Sequence, residues 1–223
     1  MIFNIIPAHV EAAEAVEDDH ADSLLFEEEA ALGRVVEGRR REFTTGRTCA
    51  RRALAKLGFP ASAIIPGPNR EPIWPEGVVG SITHCAGYRA AAVARREDFY
   101  SLGIDAEPHD TLPKGVLRKV ALAEELNWLR MMSDSDIYWD RVLFSAKESV
   151  YKTWFPVARR WLGFHDALVH FDVPLGTFHA TLLIEGPTVN GERIQAVAGR
   201  FCIESGLVKT FAAIATDRSV ALS

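Results

Sequence analysis

The acidic residues of the segment 103–107, which reads G-I-D-A-E, are the most chemically suggestive feature of the sequence. Side chains two positions apart on a β-strand point to the same face, so Asp105 and Glu107 can act together. Mg²⁺ prefers oxygen ligands and is bound through one or two carboxylates, with water and substrate phosphates completing its shell. The pair therefore predicts a Mg²⁺ site, with Mn²⁺ as an alternative ion. The other interpretation is two solvent-facing acids at the end of a strand.

A second candidate group lies on a predicted helix over residues 139–154. Lys147 and Glu148 are adjacent, and Lys152 shares a helix face with Glu148 because the two are four residues apart. The opposite side of this helix carries the apolar residues Leu143, Val150 and Trp154. If that side packs in a core, Glu148 could act as a metal ligand or general base, and Lys152 could neutralise phosphate charge or shuttle a proton. The alternative is an ordinary Glu-to-Lys surface pair.

Arginines supply candidate anion-binding groups. Arg40, Arg47 and Arg51 are spaced by seven and four residues, which places them on one stripe of a predicted helix over 38–57. A guanidinium can bind phosphate oxygens bidentately, so the stripe could hold the phosphates of a small nucleotide. Arg70 could add to it from a turn-rich segment. A solvated charged face is the alternative interpretation.

A hydroxyl and an imidazole close the segment 80–84, which reads G-S-I-T-H at the end of a predicted strand. Thr83 and His84 could both donate hydrogen bonds to phosphate, although a lone histidine at such a position is more often structural. Ser81 is not expected to be a nucleophile because no G-x-S-x-G elbow surrounds it. Nothing in the sequence indicates a lowered pKa for Cys85, so we expect an idle thiol.

The remaining pattern predicts the scaffold for these groups. Residues 11–29 are acidic and Ala-rich and predict a helix or a surface loop, and a further helix is predicted over 117–131. Strands are predicted at 78–83, 90–94, 102–106, 167–171, 177–184, 194–204 and 207–216. Helices clustered before antiparallel hairpins predict an α+β fold and not a doubly wound parallel sheet. Because the helix-then-hairpin order recurs, we expect two halves, 1–99 and 100–223.

Composition excludes several classes of protein. The 223 residues carry 25 basic and 30 acidic side chains, a net charge of −5, and are 48% hydrophobic, which describes a globular chain able to bury a core without metals or disulfides. The acidic balance argues against nucleic-acid binding, although the basic runs 39–41 and 51–52 keep a nucleic-acid-binding module as an alternative. Three separated cysteines suggest a reducing cytoplasm. No apolar run approaches a membrane span, and no signal peptide is apparent.

Three motifs in a fixed order carry a resemblance to a known family. They are G-S-I-T-H at 80–84, G-I-D-A-E-P-H at 103–109 and F-S-A-K-E-S-V-Y-K at 144–152, with R-E-P-I-W-P at 70–75 between the basic helix and the first motif. The chain resembles the 4′-phosphopantetheinyl transferase superfamily, specifically the monomeric surfactin-activating type in the branch similar to enterobactin synthase component D. The resemblance runs from about Arg39 to Trp154, and the tail after Trp161 matches only in its strand pattern.

The resemblance implies a fold and a set of roles. The fold has two pseudo-symmetric halves, each a small antiparallel sheet packed with helices, with contacts to coenzyme A phosphate and adenosine in the first half and the catalytic acids in the second. Mg²⁺ would bind Asp105, Glu107 and Glu148. Coenzyme A would contact Arg40, Arg47, Arg51, Arg70, Thr83, His84, Lys147 and Lys152. The sequence departs from many relatives at Phe144, where they have tryptophan, and Arg70 replaces a lysine found in some.

The implied reaction is attack by a carrier-protein serine on the β-phosphate of coenzyme A. It releases 3′,5′-ADP and leaves a phosphopantetheine arm on an acyl or peptidyl carrier protein. Asp105, Glu148 and Lys152 would be the catalytic residues, with Glu148 or a metal-bound water that it positions as the base. The resemblance also implies a cytoplasmic monomer. The alternative is a Mg²⁺-dependent hydrolase of a nucleotide pyrophosphate, since the same acids and arginines could activate water.

Overall fold

The computed structural model describes residues 1–18 and 22–216, and within these ranges it contains five α-helices, two 3₁₀ helices (Ile2–Asn4 and Phe164–Asp166) and ten strands. The helices are α1 (Phe26–Leu32), α2 (Glu37–Lys56), α3 (Leu117–Val120), α4 (Ala123–Met131) and α5 (Trp139–Ala158). The strands are β1 (Val10–Ala15), β2 (Val78–Cys85), β3 (Tyr88–Arg95), β4 (Phe99–Pro108), β5 (Ala167–Asp172), β6 (Thr177–Leu182), β7 (Thr188–Val189), β8 (Glu192–Arg193), β9 (Ala196–Glu204) and β10 (Leu207–Ala215). The predicted α+β class with antiparallel sheets is confirmed.

The first sheet is three-stranded and antiparallel, in the order β1-β3-β2, with α2 packed across one face. Buried alanines at 90–92 and 94 on the central strand leave room for close packing. Buried Cys49, Ala50 and Leu54 of α2 pack into the core on this side. The predicted helix over 38–57 and the two strands that follow it are thereby confirmed to within a few residues.

Strand β1 corrects one expectation. Residues 11–29 were expected to be helical or loop, yet Val10–Ala15 pair with β3 in antiparallel register, from Val10 opposite Ala94 to Ala15 opposite Arg89. Ala12 and Ala13 are buried between this sheet and its neighbours. Tertiary pairing therefore overrides the helical propensity of this alanine-rich segment. Helix α1 agrees with the expectation, and residues 19–21 lie outside the described part of the chain.

The second sheet is five-stranded, in the order β4-β10-β9-β6-β5, and all its pairings are antiparallel. Helix α5 lies across β4 and β10. Its apolar side is buried as expected, since Leu143, Val150 and Trp154 are each at most 1% exposed. The described residues contain no helix with the length and apolar character needed to cross a membrane.

The helix predicted over 117–131 is two helices in the structure. Ala121 adopts an extended conformation between α3 and α4, and Leu122 is the N-cap residue of α4. The carboxylate of Glu125 accepts a hydrogen bond from the Leu122 backbone N–H at 2.8 Å. This side-chain cap satisfies one of the free amides at the start of α4, which stabilises the break.

The two sheets meet along β2 and β4. Ser81 Oγ accepts a hydrogen bond from the backbone N–H of Ile104, and Thr83 Oγ1 accepts one from that of Ala106, both at 3.1 Å. Hydroxyl side chains thus join strands of two different sheets at the point where the predicted site residues lie. The division of the chain near residue 99, where β4 begins, stays a prediction.

Candidate active site

A glycine sets the distance between β4 and α5. A Cβ atom on Gly103 would lie 2.2 Å from the carbonyl oxygen of Ser149 and 2.7 Å from Thr153 Oγ1, so only glycine lets the helix backbone rest on the strand. Two residues further along β4, Asp105 faces the same helix. Its Oδ1 lies 2.7 Å from Lys152 Nζ.

Asp105 is the centre of a buried hydrogen-bond network. Its side chain is 6% exposed, and Oδ1 accepts from Lys152 and, at 3.3 Å, from Thr83 Oγ1. Oδ2 accepts from Ser145 Oγ at 2.8 Å. Lys152 Nζ also donates to the carbonyl of Ile104 at 3.0 Å. Residues from three separate motifs of the sequence therefore converge on one carboxylate.

Glu107, the second acid of the pair on β4, forms an ion pair with Arg141 at 2.8 Å. Arg141 also donates to the carbonyls of Asp110 and Thr111, so it fixes the loop that follows β4. Burial, followed by the charge of Asp105, raises the pKa of Glu107, and Arg141 opposes both effects. Sequence reasoning missed Arg141, whose position about two helical turns before Glu148 is its only sequence signal.

Glu148 faces the same acids from α5. Burial and then the charge of Asp105 raise the pKa of Glu148, Lys152 lowers it, and Glu107 adds to the rise. Within the described residues, no donor hydrogen-bonds to the carboxylate of Glu148. The negative charges of these carboxylates repel one another. A bound hard cation would offset that repulsion, and carboxylate oxygens are the ligands that such a cation prefers.

The described residues contain no group of three His, Cys, Asp or Glu side chains arranged closely enough to hold a metal ion. The amino group of Lys152 and the guanidinium of Arg141 instead neutralise Asp105 and Glu107. The donor chemistry of the three predicted metal ligands fits Mg²⁺, and binding would require Asp105 to exchange its Lys152 contact for the ion.

Beside this cluster is a cavity of about 530 Å³ between α2, β2 and the segment 66–72. Its polar lining consists of Arg39, Glu42, Arg47, Arg70 and His84. Three of these five side chains are arginines, whose positive charge suits an anion. Thr83, the neighbour of His84, contacts Asp105, which places the acid cluster next to the cavity.

Two arginines of the cavity are held in defined positions. Arg47 stacks on the ring of Phe43 at 4.0 Å and donates to the carbonyl of Ile64 at 2.6 Å. Burial lowers the pKa of Arg47 to about 10, so it stays charged at neutral pH. Arg39 Nη1 lies 2.6 Å from His84 Nε2. Because a guanidinium only donates, His84 accepts here as a neutral ring. Burial lowers the pKa of His84, the charge of Glu42 opposes this effect, and Arg39 adds to the lowering.

The predicted arginine stripe is only partly directed at this cavity. Arg40 forms an ion pair with Glu29 at 2.7 Å, and Arg51 forms one with the fully buried Glu28 at 2.6 Å. Helix α1 therefore supplies carboxylates that occupy two of the three predicted phosphate ligands, and the cavity is lined by Arg47 alone among them. Arg39, which sequence reasoning passed over, lines the cavity beside Arg47, with Glu42 Oε2 at 3.4 Å from its Nη1. The spacing of Arg39, Phe43 and Arg47 by four residues each was a usable signal.

Lys147 is turned away from the acid cluster. Its Nζ lies 2.8 Å from Glu125 and donates to three backbone carbonyls, and both side chains of the ion pair are 2% exposed. Burial lowers the pKa of Lys147, and Glu125 opposes this effect. The structure therefore does not bring Lys147 to the other predicted coenzyme A ligands.

Arg70 lies between two cavities. It lines the cationic cavity and also a second, more apolar cleft of about 480 Å³ that Lys152, Trp74 and Tyr151 line. Trp74 lies against Gly80 and donates its Nε1 hydrogen to the carbonyl of that residue at 2.9 Å.

Burial raises the pKa of the Cys85 thiol to about 11, in agreement with the expectation of an idle thiol.

Comparison with known proteins identifies the class to which this fold and site belong. Residues 27–94 match the model of the 4′-phosphopantetheinyl transferase N-terminal domain, and residues 101–202 match that of the 4′-phosphopantetheinyl transferase superfamily. The chain belongs to the 4′-phosphopantetheinyl transferase superfamily, and the resemblance drawn from its motifs is confirmed.

Individual relatives support this assignment, two of them over nearly the whole chain. The 4′-phosphopantetheinyl transferase Svp of Streptomyces mobaraensis is 47% identical over 99% of this chain and 92% of the relative. The 4′-phosphopantetheinyl transferase Npt of Nocardia iowensis is 48% identical over 96% of this chain and 100% of the relative. Enterobactin synthase component D of Salmonella typhi is 34% identical over 51% of this chain and 47% of its own length.

Proposed function

We propose that the chain transfers the 4′-phosphopantetheine group of coenzyme A to a serine of an acyl or peptidyl carrier protein, with Mg²⁺ as the metal cofactor. Its membership of the transferase family supports the reaction class. The observation that carries the assignment of the site is the contact of Asp105 with Lys152 and Thr83, directly beside a cavity lined by arginines. Acids that suit a metal and cations that suit phosphates thus adjoin one another.

Coenzyme A is a polyanion, and the cationic cavity is the part of the molecule suited to its nucleotide end. Arg39 and Arg47 line one side of the cavity and Arg70 the other, so their guanidinium groups can bind the 3′-phosphate from both sides. His84 joins the cavity to Thr83 and hence to the acid cluster. This route leads from the nucleotide to the place where the pyrophosphate must react.

Asp105, Glu107 and Glu148 would hold the metal ion, and Lys152 would then be released from Asp105 to the phosphates. Bound Mg²⁺ supplies charge neutralisation for the pyrophosphate oxygens. Phosphoryl transfer depends mainly on alignment and on such neutralisation, with little covalent chemistry for the protein to perform.

The protein's own groups then account for proton and charge movement. Burial raises the pKa of Glu148 in the metal-free protein, and its carboxylate, or a water that it positions, would take the proton from the serine hydroxyl. The serine oxygen attacks the β-phosphorus as the bond to the α-phosphate oxygen breaks. Lys152 neutralises the charge that develops on the departing 3′,5′-ADP. Its contacts with Thr83 Oγ1 and the Ile104 carbonyl keep it at the junction of the two sheets.

The test is the intact mass of an apo carrier protein incubated with this protein, coenzyme A and Mg²⁺. We expect the gain of one phosphopantetheine, lost with EDTA and in Asp105→Ala, and retained in Asp134→Ala, whose acid lies in an exposed loop. No gain on fatty-acid, polyketide or peptide carriers, together with breakdown of coenzyme A, would replace this proposal by the pyrophosphate hydrolase.

We also propose a cytoplasmic monomer that binds neither nucleic acid nor membranes. The net charge of −5 supports the absence of nucleic-acid binding. Light scattering of the purified protein gives its mass directly, and a dimer mass, or binding to DNA that falls steeply with salt, would contradict the proposal.

A further inference from the structure

The amino group of Lys147 has no hydrogen left for a substrate. An ammonium group donates three hydrogen bonds, and four acceptors surround this one. They are the carboxylate of Glu125 at 2.8 Å and the carbonyls of Val120 at 3.0 Å, Phe164 at 2.6 Å and Ala167 at 3.0 Å. Since Lys147 is 3% exposed, the group has a saturated shell inside the protein.

The carboxylate of Glu125, the partner of Lys147, also has several donors inside the protein. Glu125 accepts from the backbone N–H of Leu122 at 2.8 Å and from that of Val169 at 2.8 Å, besides its ion pair with Lys147. The pair therefore joins the break between α3 and α4, the start of β5 and the middle of α5. None of these segments is adjacent to another in the sequence.

The joined segments form a wall beside Glu148. A small cavity of about 80 Å³ lies between α5 and the segment 161–167. Glu148, Tyr151 and Trp161 line it together with Phe164 and Ala167, whose carbonyls bind Lys147. Lys147 directly precedes Glu148, so the contacts that fix Lys147 also fix the backbone that carries the proposed base.

We infer that Glu125 is a positioning residue of the transferase: through its buried ion pair with Lys147 it holds the segment 161–167 against α5 and thereby orients Glu148. Lys147 acts in this pair and does not contact coenzyme A. The inference rests on the proposed function for the role of Glu148, and on contacts alone for the attachment of the segment.

Three variants separate the pair from a direct ligand. Glu125→Gln keeps the shape and removes the charge, Lys147→Met removes the ammonium, and the double variant leaves no buried charge unpaired. Removing one member of a buried pair is more damaging than removing both. The double variant should therefore be closer to the wild type in Tm than Lys147→Met is. Val197→Ala is the matched control, because it opens a cavity in the core of the same half and removes none of the hydrogen bonds of the pair.

Each variant is measured in three ways: the dissociation constant of coenzyme A, amide hydrogen exchange of 161–169, and kcat and KM for carrier modification. We expect Glu125→Gln to bind coenzyme A within about twofold of the wild type, to exchange faster in 161–169, and to lose about tenfold in kcat. The double variant should keep this kcat loss although its Tm is restored. Val197→Ala should lose Tm without the selective change in exchange or kcat.

Coenzyme A binding weakened tenfold in Lys147→Met, with unchanged exchange, would show that Lys147 is a ligand and would overturn the inference. Unchanged kcat in Glu125→Gln would overturn the positioning role. If the wild type modifies no carrier, the proposed function fails by itself, and unchanged exchange in the double variant would then refute the attachment of 161–167 independently.

Discussion

The closeness of β4 and α5 at Gly103 can be tested with a single methyl group. In Gly103→Ala the new Cβ would lie 2.2 Å from the Ser149 carbonyl oxygen, whereas carbon and oxygen ordinarily approach to about 3.3 Å. The strand and helix must therefore separate by about 1 Å. Overpacking of this kind costs about 1–3 kcal/mol, and at about 2–4 °C per kcal/mol we expect Tm to fall by several degrees.

The effect on turnover should exceed the effect on stability. Asp105 lies two residues beyond Gly103, and its 2.7 Å contact with Lys152 spans the gap that the methyl group widens. Misplacement by about 1 Å can cost about 100-fold in rate, so we expect kcat for carrier modification to fall by about that factor. The assay is the initial rate of carrier mass gain at a temperature well below the variant's Tm, with circular dichroism to confirm folding.

Gly199→Ala is the control for this prediction. A Cβ there would lie 2.1 Å from the Phe178 ring and 2.5 Å from the Phe211 carbonyl oxygen, which is a comparable clash in the same sheet. This variant should lose Tm and keep its kcat. If both alanine variants keep kcat, or both lose it in proportion to Tm, the spacing of β4 and α5 does not control the chemistry and the reasoning is wrong.

Three further predictions follow from the contacts of the site. Arg39→Gln should raise the dissociation constant of coenzyme A about tenfold in calorimetry, because Arg39 lines the cationic cavity, whereas Arg40→Gln should change it less than twofold. Equal effects would contradict this placement. Glu148→Gln should cut kcat at least tenfold without lowering the Tm of the metal-free protein, because burial and two nearby acids already raise the pKa of Glu148 and disfavour its charge. In the metal-free protein that raised pKa should make Glu148 take up its proton at a higher pH than an ordinary glutamate in an NMR titration, and protonation at the usual pKa would contradict the effect of burial. Thr83→Val should destabilise the protein by about 1–3 kcal/mol in denaturant unfolding, because it leaves the buried Ala106 N–H unpaired, while Thr83→Ser keeps the hydroxyl and should lose less.

Local periodicity predicted which of the acidic and basic residues share a face within each element. The alternation of a strand places Asp105 and Glu107 at one end of β4, and the repeat of a helix places Glu148 and Lys152 on one face of α5. Both patterns are set within a few residues, so neither depends on distant parts of the chain. The order of the motifs supplied the remaining step, that the two elements face each other.

Predictions for helix residues whose side chains are contacted by another segment of the chain were less successful. The stripe of arginines on α2 was a sound reading of helical spacing, but Glu28 and Glu29 of α1 bind Arg51 and Arg40. Lys147 likewise belongs to the motif by position, and its Nζ is turned into the protein by Glu125. A sequence gives the charge and spacing of such residues, whereas the partner that neutralises them is fixed only when distant segments pack.

At the junction of the two sheets, one side chain contributes both to the stability of the protein and to the proposed reaction. Thr83 Oγ1 accepts the Ala106 N–H, donates to Asp105 and accepts from Lys152, so one hydroxyl both joins β2 to β4 and orients the central carboxylate. A substitution there must change stability and activity together. The Glu125–Lys147 pair lies on the other side of α5 and contacts neither the junction of the sheets nor the other proposed coenzyme A ligands. At this pair the double variant can therefore separate the effect on stability from the effect on activity. Comparison of these two sites therefore distinguishes residues that perform the reaction from residues that hold the reacting groups in place.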